Sequence, residues 1–354
     1  MKTRLYELDS LRGIAALIVV LYHYTTRYDE YYGHSVEPLF YFPFGEYGVF
    51  LIFIISGFVI TLTLDSTKHC SDFLVSRISR LYPAYWMAIT LTALTVWLFT
   101  LPGRQVSFVA TLVNFSMLQD WLGMPRVDGA YWTLTIQLSF YCIMFLIYTC
   151  NQMKNIARIG LLWNAVIILA ACAEKYLSVS IHWSIRLFLI LDYGNLFVAG
   201  VMFYKLRRDF SMIYVYPIIL SSLADYILRG GMHWVFISFL YFAFLLLAMG
   251  RLSWLGIKPL VFVGSTSYSL YLIHQNIGYV IIRGLYHLGF ATRWSTIFVP
   301  LTFSLSLASL MYVFIERPAT AAMKAKWLGS TLHNHLLKSF SDGRDPAAIP
   351  VKNY

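Results

Sequence analysis

The sequence predicts an all-α, polytopic membrane protein of about ten transmembrane helices with both termini in the cytosol. Three observations carry that expectation. Hydrophobic residues make up 59% of the 354 and charged residues only 12%, against roughly 25% charged in a soluble domain; mean hydropathy is +0.64. The apolar runs are continuous and about 20 residues long, which is what a helix needs to cross a hydrocarbon layer about 30 Å thick. Lysine and arginine are unevenly shared between alternate connections. A soluble enzyme, a disordered chain and a disulfide scaffold are excluded by this composition. A transmembrane barrel is excluded by the unbroken runs, because barrel strands alternate over about ten residues. The 26 Tyr, 26 Phe and 10 Trp suit interfacial belts and a packed helical bundle.

In chain order, apolar stretches bounded by charges or turn residues place spans near residues 12–28, 47–64, 82–101, 130–149, 159–176, 184–204, 210–228, 233–250, 260–282 and 295–315. The first resembles a signal peptide, with Lys2, Arg4 and Arg12 ahead of an apolar core from Ile14 to Tyr22. His23, Tyr24 and a run of Thr and Tyr follow it instead of a small-residue cleavage site, so it is expected to stay attached. The third opens near Pro83, an ordinary place for proline at a helix start. The stretch 106–118 is too short to span and reads as an interfacial or re-entrant helix in the connection 102–129. The tenth ends at Glu316-Arg317-Pro318, which reads as a helix exit. Residues 1–318 form one membrane domain, and 319–354 a basic, partly disordered cytosolic tail.

The termini and odd-to-even connections hold nineteen lysines and arginines and the opposite set seven, which places both termini in the cytosol. The net charge of +10 therefore reads as basic loops facing anionic lipid, with no nucleic-acid partner implied. Cys70, Cys142, Cys150 and Cys172 show no metal-ligand or redox spacing, and no metal site is expected.

Charges at membrane depth need a reason. Arg12 and His23 lie 11 residues apart, about 16 Å along a helix axis and about 20° apart in azimuth, so they share one face. Two readings fit this spacing: a satisfied core histidine, or a proton-handling base lining a wet cavity with Arg12 at its mouth. A desolvated imidazole favours the neutral form, the one able to accept a proton. Arg77 and Arg80 sit one turn apart if their segment is helical, a two-pronged cation suited to phosphate oxygens or a plain positive-inside anchor. Asp9, Ser56, Tyr131, Trp132, Gln137, Tyr271 and His274 are further groups that could face such a cavity, each with an interhelical hydrogen bond or packing contact as the alternative.

Taken together, Leu8-Asp9-Ser10-Leu11-Arg12-Gly13-Ile14-Ala15-Ala16 with His23, Ile55-Ser56-Gly57-Phe58, the Arg77/Arg80 segment, Ala130-Tyr131-Trp132-Thr133-Leu134, Ser267-Tyr268-Ser269-Leu270-Tyr271-Leu272-Ile273-His274 and Glu316-Arg317-Pro318 resemble, in order, the motifs of the acyltransferase-3 family of membrane acyltransferases. The resemblance implies a ten-helix enzyme of the bacterial inner (plasma) membrane. Such an enzyme moves an acyl group, usually acetyl, from cytosolic acyl-CoA to a hydroxyl of a surface polysaccharide or lipid-linked sugar. It implies His23 as the catalytic histidine with Arg12 its companion, Arg12, Arg77 and Arg80 at the acyl-CoA site, and acetyl-CoA as a donor with no permanently bound cofactor. Two positions depart from the family pattern: Gln137 stands where a Glu is common, and Phe50 where a polar or acidic residue is common. The extra soluble esterase-like domain of some members is absent from the sequence, so later acyl handling is expected to need another protein. The rivals are a proton-coupled transporter using His23, Asp192, Asp225 and His274 as a relay, and a non-catalytic subunit of a polysaccharide export or assembly system.

Overall fold

A chain with this little polar surface satisfies its backbone internally, and helices do so within each segment. The computed structural model describes residues 4–67, 69–327 and 329, and among them every regular element is helical. The elements are α1 (Tyr6–Tyr22), α2 (Tyr28–Tyr32), α3 (Gly45–Leu64), α4 (Cys70–Leu98), α5 (Phe108–Asn114), α6 (Trp132–Thr149), α7 (Ile156–Leu177), α8 (Trp183–Phe188), α9 (Gly194–Arg208), α10 (Val215–Arg229), α11 (Gly231–Ala248), α12 (Lys258–His287) and α13 (Ser295–Met311). A π-helical turn, His23–Arg27, joins α1 to α2, and a second, Tyr312–Glu316, follows α13.

Seven helices among the described residues are long and apolar enough to cross a membrane: Gly45–Leu64, Cys70–Leu98, Gly129–Thr149, Met153–Leu177, Met212–Arg229, Gly231–Ala248 and Ser295–Trp327. The chain is a multi-pass membrane protein. Near the other expected spans lie α1 and α9, which are shorter, and α12, which carries a polar run through Gln275 and Asn276. Of these, α9 is shielded by its neighbours. Twelve of the fifteen α9 residues are buried, and a helix buried all round needs no lipid-matched surface.

Three elements differ from the sequence expectation. The span expected at 184–204 is broken into α8 and α9 by a turn in which Ile190 takes a positive φ of 53°. Side chains catch the freed backbone there: Trp163 Nε1 donates to the Leu189 carbonyl (2.8 Å) and Arg229 donates to the Asp192 carbonyl. Arg186 closes the turn by pairing with both Glu174 and Asp192. Helix α4 starts twelve residues before the expected position 82, so Arg77 and Arg80 are on one continuous helix with Pro83 inside it. The last helix does not exit at Glu316. It continues through Pro318 to Trp327, and Thr320 Oγ1 donates to the Ser79 carbonyl (2.8 Å) while Trp327 Nε1 donates to Asp72 (2.9 Å). The expected tail from 330 onward lies outside the described residues.

Two glycine crossings set the bundle's centre. Helices α1 and α12 touch backbone to backbone, and a Cβ on Gly264 would lie 1.7 Å from the Asp9 carbonyl oxygen. Helices α3 and α9 meet likewise, where a Cβ on Gly57 would lie 2.2 Å from the Phe197 carbonyl oxygen. Small residues are what allow membrane helices such approach. Gly264→Ala is expected to force α1 and α12 apart at a cost of at least about 1–3 kcal/mol, because neither backbone can yield locally. A lowered melting temperature of the purified chain in detergent is the measurement that checks it.

Candidate active site

The crossing of α1 and α12 brings two histidines 251 positions apart in sequence into contact. His23 is the first residue of the π turn, and its Nδ1–H donates to the Val19 carbonyl (2.8 Å). A longer branch of 3.3 Å reaches Nε2 of His274, with the rings edge to face and their centroids 4.8 Å apart. His274 donates its own Nδ1–H to the Tyr271 carbonyl (2.7 Å). These partners assign both tautomers. The lone pair of His23 is therefore on Nε2, which has no partner among the described residues.

The turn that carries His274 is clamped from outside its helix. Tyr24 donates its hydroxyl to the His274 carbonyl (2.9 Å) and contacts Ser304 Oγ (2.8 Å). Tyr131 donates to the Leu272 carbonyl (3.2 Å). Asp128, almost fully buried in the connection before α6, accepts from the backbone N–H of Ala130 (2.9 Å) and of Asn276 (3.0 Å). Burial pushes the Asp128 carboxyl up to about 6, against the two N–H groups that favour its charged form.

Two cavities approach this pair from opposite ends of the bundle. One, of about 370 Å³, is lined by His23, Tyr22, Tyr31, Trp132, Tyr193 and Gln275, with Arg27, Arg104 and Arg126 around it. The other, of about 100 Å³, is lined by Arg12, Arg77 and Arg80, and by Ser56, Gln137 and Tyr268. Val49 and Tyr271 line both. The Tyr271 hydroxyl is held by Thr133 Oγ1 (2.9 Å) and by the Ala130 carbonyl (3.2 Å), so its ring stands as the partition between them.

At the basic end, the Arg12 guanidinium lies 3.6 Å from Asp9, which also pairs with Arg4 at 2.7 Å. Arg77 reaches Thr63 Oγ1 (3.4 Å) and Ser76 Oγ (3.1 Å), and its Nε has no partner among the described residues. Gln137 Nε2 donates to Ser56 Oγ (2.6 Å). Of the sequence candidates, Arg12, Arg77, Arg80, Ser56 and Gln137 thus share the basic cavity, His23 and Trp132 share the larger chamber, and Tyr271 belongs to both. His274 supports His23 from behind. Asp9 sits beside Arg12, and Tyr131 is fully buried against Tyr85, lining neither cavity. Asp192 and Asp225 are engaged by Arg186 and Arg229 and do not line the chamber with His23.

Sequence reasoning did not single out Glu316 or Asp128 as site residues. Glu316, read as part of a helix exit, is buried and accepts from Ser269 Oγ (2.8 Å), within electrostatic range of Arg80 and Arg12. For Glu316 the signal was available, a carboxylate flush against the apolar run of the last span; for Asp128 it was not, because that residue falls in the connection 102–129, where a carboxylate is ordinary.

The acyltransferase-domain family model matches residues 5–313 of the chain. The chain is 26% identical to "Putative peptidoglycan O-acetyltransferase YrhL" of Bacillus subtilis (strain 168), over 88% of this chain and 54% of YrhL, so it spans about half the length of that relative. It is 23% identical to "Putative acetyltransferase ORF330" of Acidianus two-tailed virus, over 76% of this chain and 82% of that protein. A further relative is "Acyltransferase MdmB" of Streptomyces mycarofaciens, 25% identical over 48% of this chain and 45% of its own. No solved structure matches. The family match runs from before Arg12 through the His274 turn and so contains both cavities and the histidine pair, and the chain belongs to the acyltransferase-domain family.

Proposed function

We propose that the protein is a membrane O-acyltransferase, with acetyl as the acyl group. It would take acyl from acyl-CoA at the cytosolic, Arg12 end and pass it to a hydroxyl of a cell-envelope glycan bound in the His23 chamber. The observation that carries the reading is the pair of opposed cavities divided by Tyr271, one ringed by arginines and the other holding an imidazole with a free Nε2. Guanidinium groups match the diphosphate and 3′-phosphate of coenzyme A. The opposite chamber offers aromatic faces for a sugar ring.

In this reading the thioester arm extends from the arginines towards Tyr271. His23 Nε2 accepts the proton of the glycan hydroxyl as that oxygen attacks the thioester carbonyl carbon. The C–S bond breaks, the ester forms, and the coenzyme A thiolate leaves, to be protonated by the imidazolium or solvent. The positive charge that develops on His23 is shared through Nδ1–H with the Val19 carbonyl and His274 Nε2. The role of His274 is to orient the base and spread that charge. The plasma membrane of a bacterial cell is the proposed location, and the YrhL name makes peptidoglycan one glycan to test.

Reconstituting the full chain with labelled acetyl-CoA and an envelope-glycan extract tests the reading. Label entering the glycan with the native chain supports it, whereas glycan crossing the bilayer unlabelled points to transport instead. Gln137→Glu probes the departure from the family pattern. A carboxylate there would accept from Ser56 and add negative charge to the cavity of Arg12, Arg77 and Arg80. A rate gain of tenfold or more in that assay, roughly the worth of one charged hydrogen bond, would mean the native amide weakens catalysis; an unchanged rate would mean the carboxylate is dispensable.

A further inference from the structure

Arg104 is the residue that the proposed chemistry leaves without a task. It lies in the connection between α4 and α5 and lines the His23 chamber. The other two arginines of that chamber are neutralised, Arg27 by Glu30 (2.5 Å) and Arg126 by Asp120 (2.6 Å). Among the described residues no carboxylate pairs with Arg104. Asp128 is within electrostatic range, but each of its oxygens already accepts a backbone N–H. The guanidinium is stacked instead over the Tyr31 ring, 4.1 Å from its centroid. The Tyr31 and Tyr32 hydroxyls also interact with the guanidinium; two such partners still leave N–H groups of the five-donor fork for an anion.

The same Arg104 also lines a second hollow, of about 640 Å³, between α4 and α5. Its walls are mostly apolar, including Leu94, Trp97, Val106, Phe108 and Phe115, and Trp97 and Phe108 are exposed on the outside of the bundle. One cation thus stands at the boundary between a polar chamber that ends at the base and a groove suited to a hydrocarbon chain. A bulk phospholipid would satisfy the groove and the cation, but its phosphate carries no sugar to place in the chamber.

We propose that Arg104 binds the phosphate of a lipid-carried acceptor. The long-chain alcohol lies in the α4/α5 hollow and the attached sugar reaches into the chamber towards His23. This deepens the proposed acyltransferase reading and rests on it for the sugar's fate, although the lipid-phosphate site itself is testable without turnover.

The test is native mass spectrometry of the purified full chain with three probes: glucosyl undecaprenyl phosphate, undecaprenol and phosphatidylglycerol. The glucosyl undecaprenyl phosphate is expected to be retained at least tenfold better than either of the others. Arg104→Gln should lower its retention about tenfold or more, as for loss of a charge-assisted hydrogen bond, and Arg104→Lys should restore part of it. Leu94→Trp, which fills the hollow and spares the cation, should also weaken retention. Equal retention by Arg104→Gln overturns the proposal, and equal retention of phosphatidylglycerol identifies an ordinary lipid contact and overturns it too. Arg104-dependent retention without any acyl transfer in the labelled assay would leave the site standing and sink the reaction assigned to it.

Discussion

Replacing His23 by Ala is expected to reduce acyl transfer by about 10²–10⁴-fold, the usual worth of a positioned general base. The Michaelis constant for acyl-CoA should hardly change, because the proposed function puts the donor's phosphates at the other end of the bundle, in the cavity lined by Arg12, Arg77 and Arg80. The fold should also survive. His23 is only half-buried, and its single backbone partner, the Val19 carbonyl, is on its own helix. Labelled acetyl transfer under donor saturation, beside a thermal melt of the same preparation, checks both halves. An unchanged rate in a folded variant would return His23 to the status of a core histidine.

The second large effect concerns the donor. Arg77→Ala and Arg80→Ala together should raise the Michaelis constant for acyl-CoA at least about 100-fold, taking about tenfold for each charge-assisted hydrogen bond removed. The turnover number at saturation should stay near native, since uniform binding is what disappears. Varying acyl-CoA at fixed acceptor measures this directly. If yield or membrane orientation falls while the constant stays put, the two arginines are anchors at the lipid boundary and the donor enters elsewhere.

Much of this architecture was written into local pattern. The 11-residue interval from Arg12 to His23 could be converted to a shared face because α1 is regular through Tyr22. Gly57 reads as a close-packing point from its small size alone, and it is one. Pairings made across helices left no comparable trace: His274 meets His23 only because α1 and α12 touch at Gly264, and nothing near residue 274 states which helix will face it. The break between α8 and α9 was hidden for a related reason. Ile190 is an unfavourable residue for a left-handed turn, and the turn exists because Arg186, Arg229 and Trp163 satisfy it from elsewhere. Helix α4 begins well ahead of its apolar run, because the Arg77/Arg80 segment continues the helix with one polar stripe turned inward, and hydropathy alone carries no sign of that continuation.

The π turn at His23–Arg27 has a consequence for how such a protein can diversify. One surplus residue is looped into the helix just beyond His23, so deleting one residue of the turn would convert it to plain α-helix and leave everything downstream close to its present phase. Tyr28 would keep its place beside Tyr279, 5.5 Å away between ring centroids, and only the turn itself, Tyr24 to Arg27, would be reset. The wall of the chamber at Arg27 can therefore drift in shape across lineages by insertion and deletion, with the helix on either side left where it is.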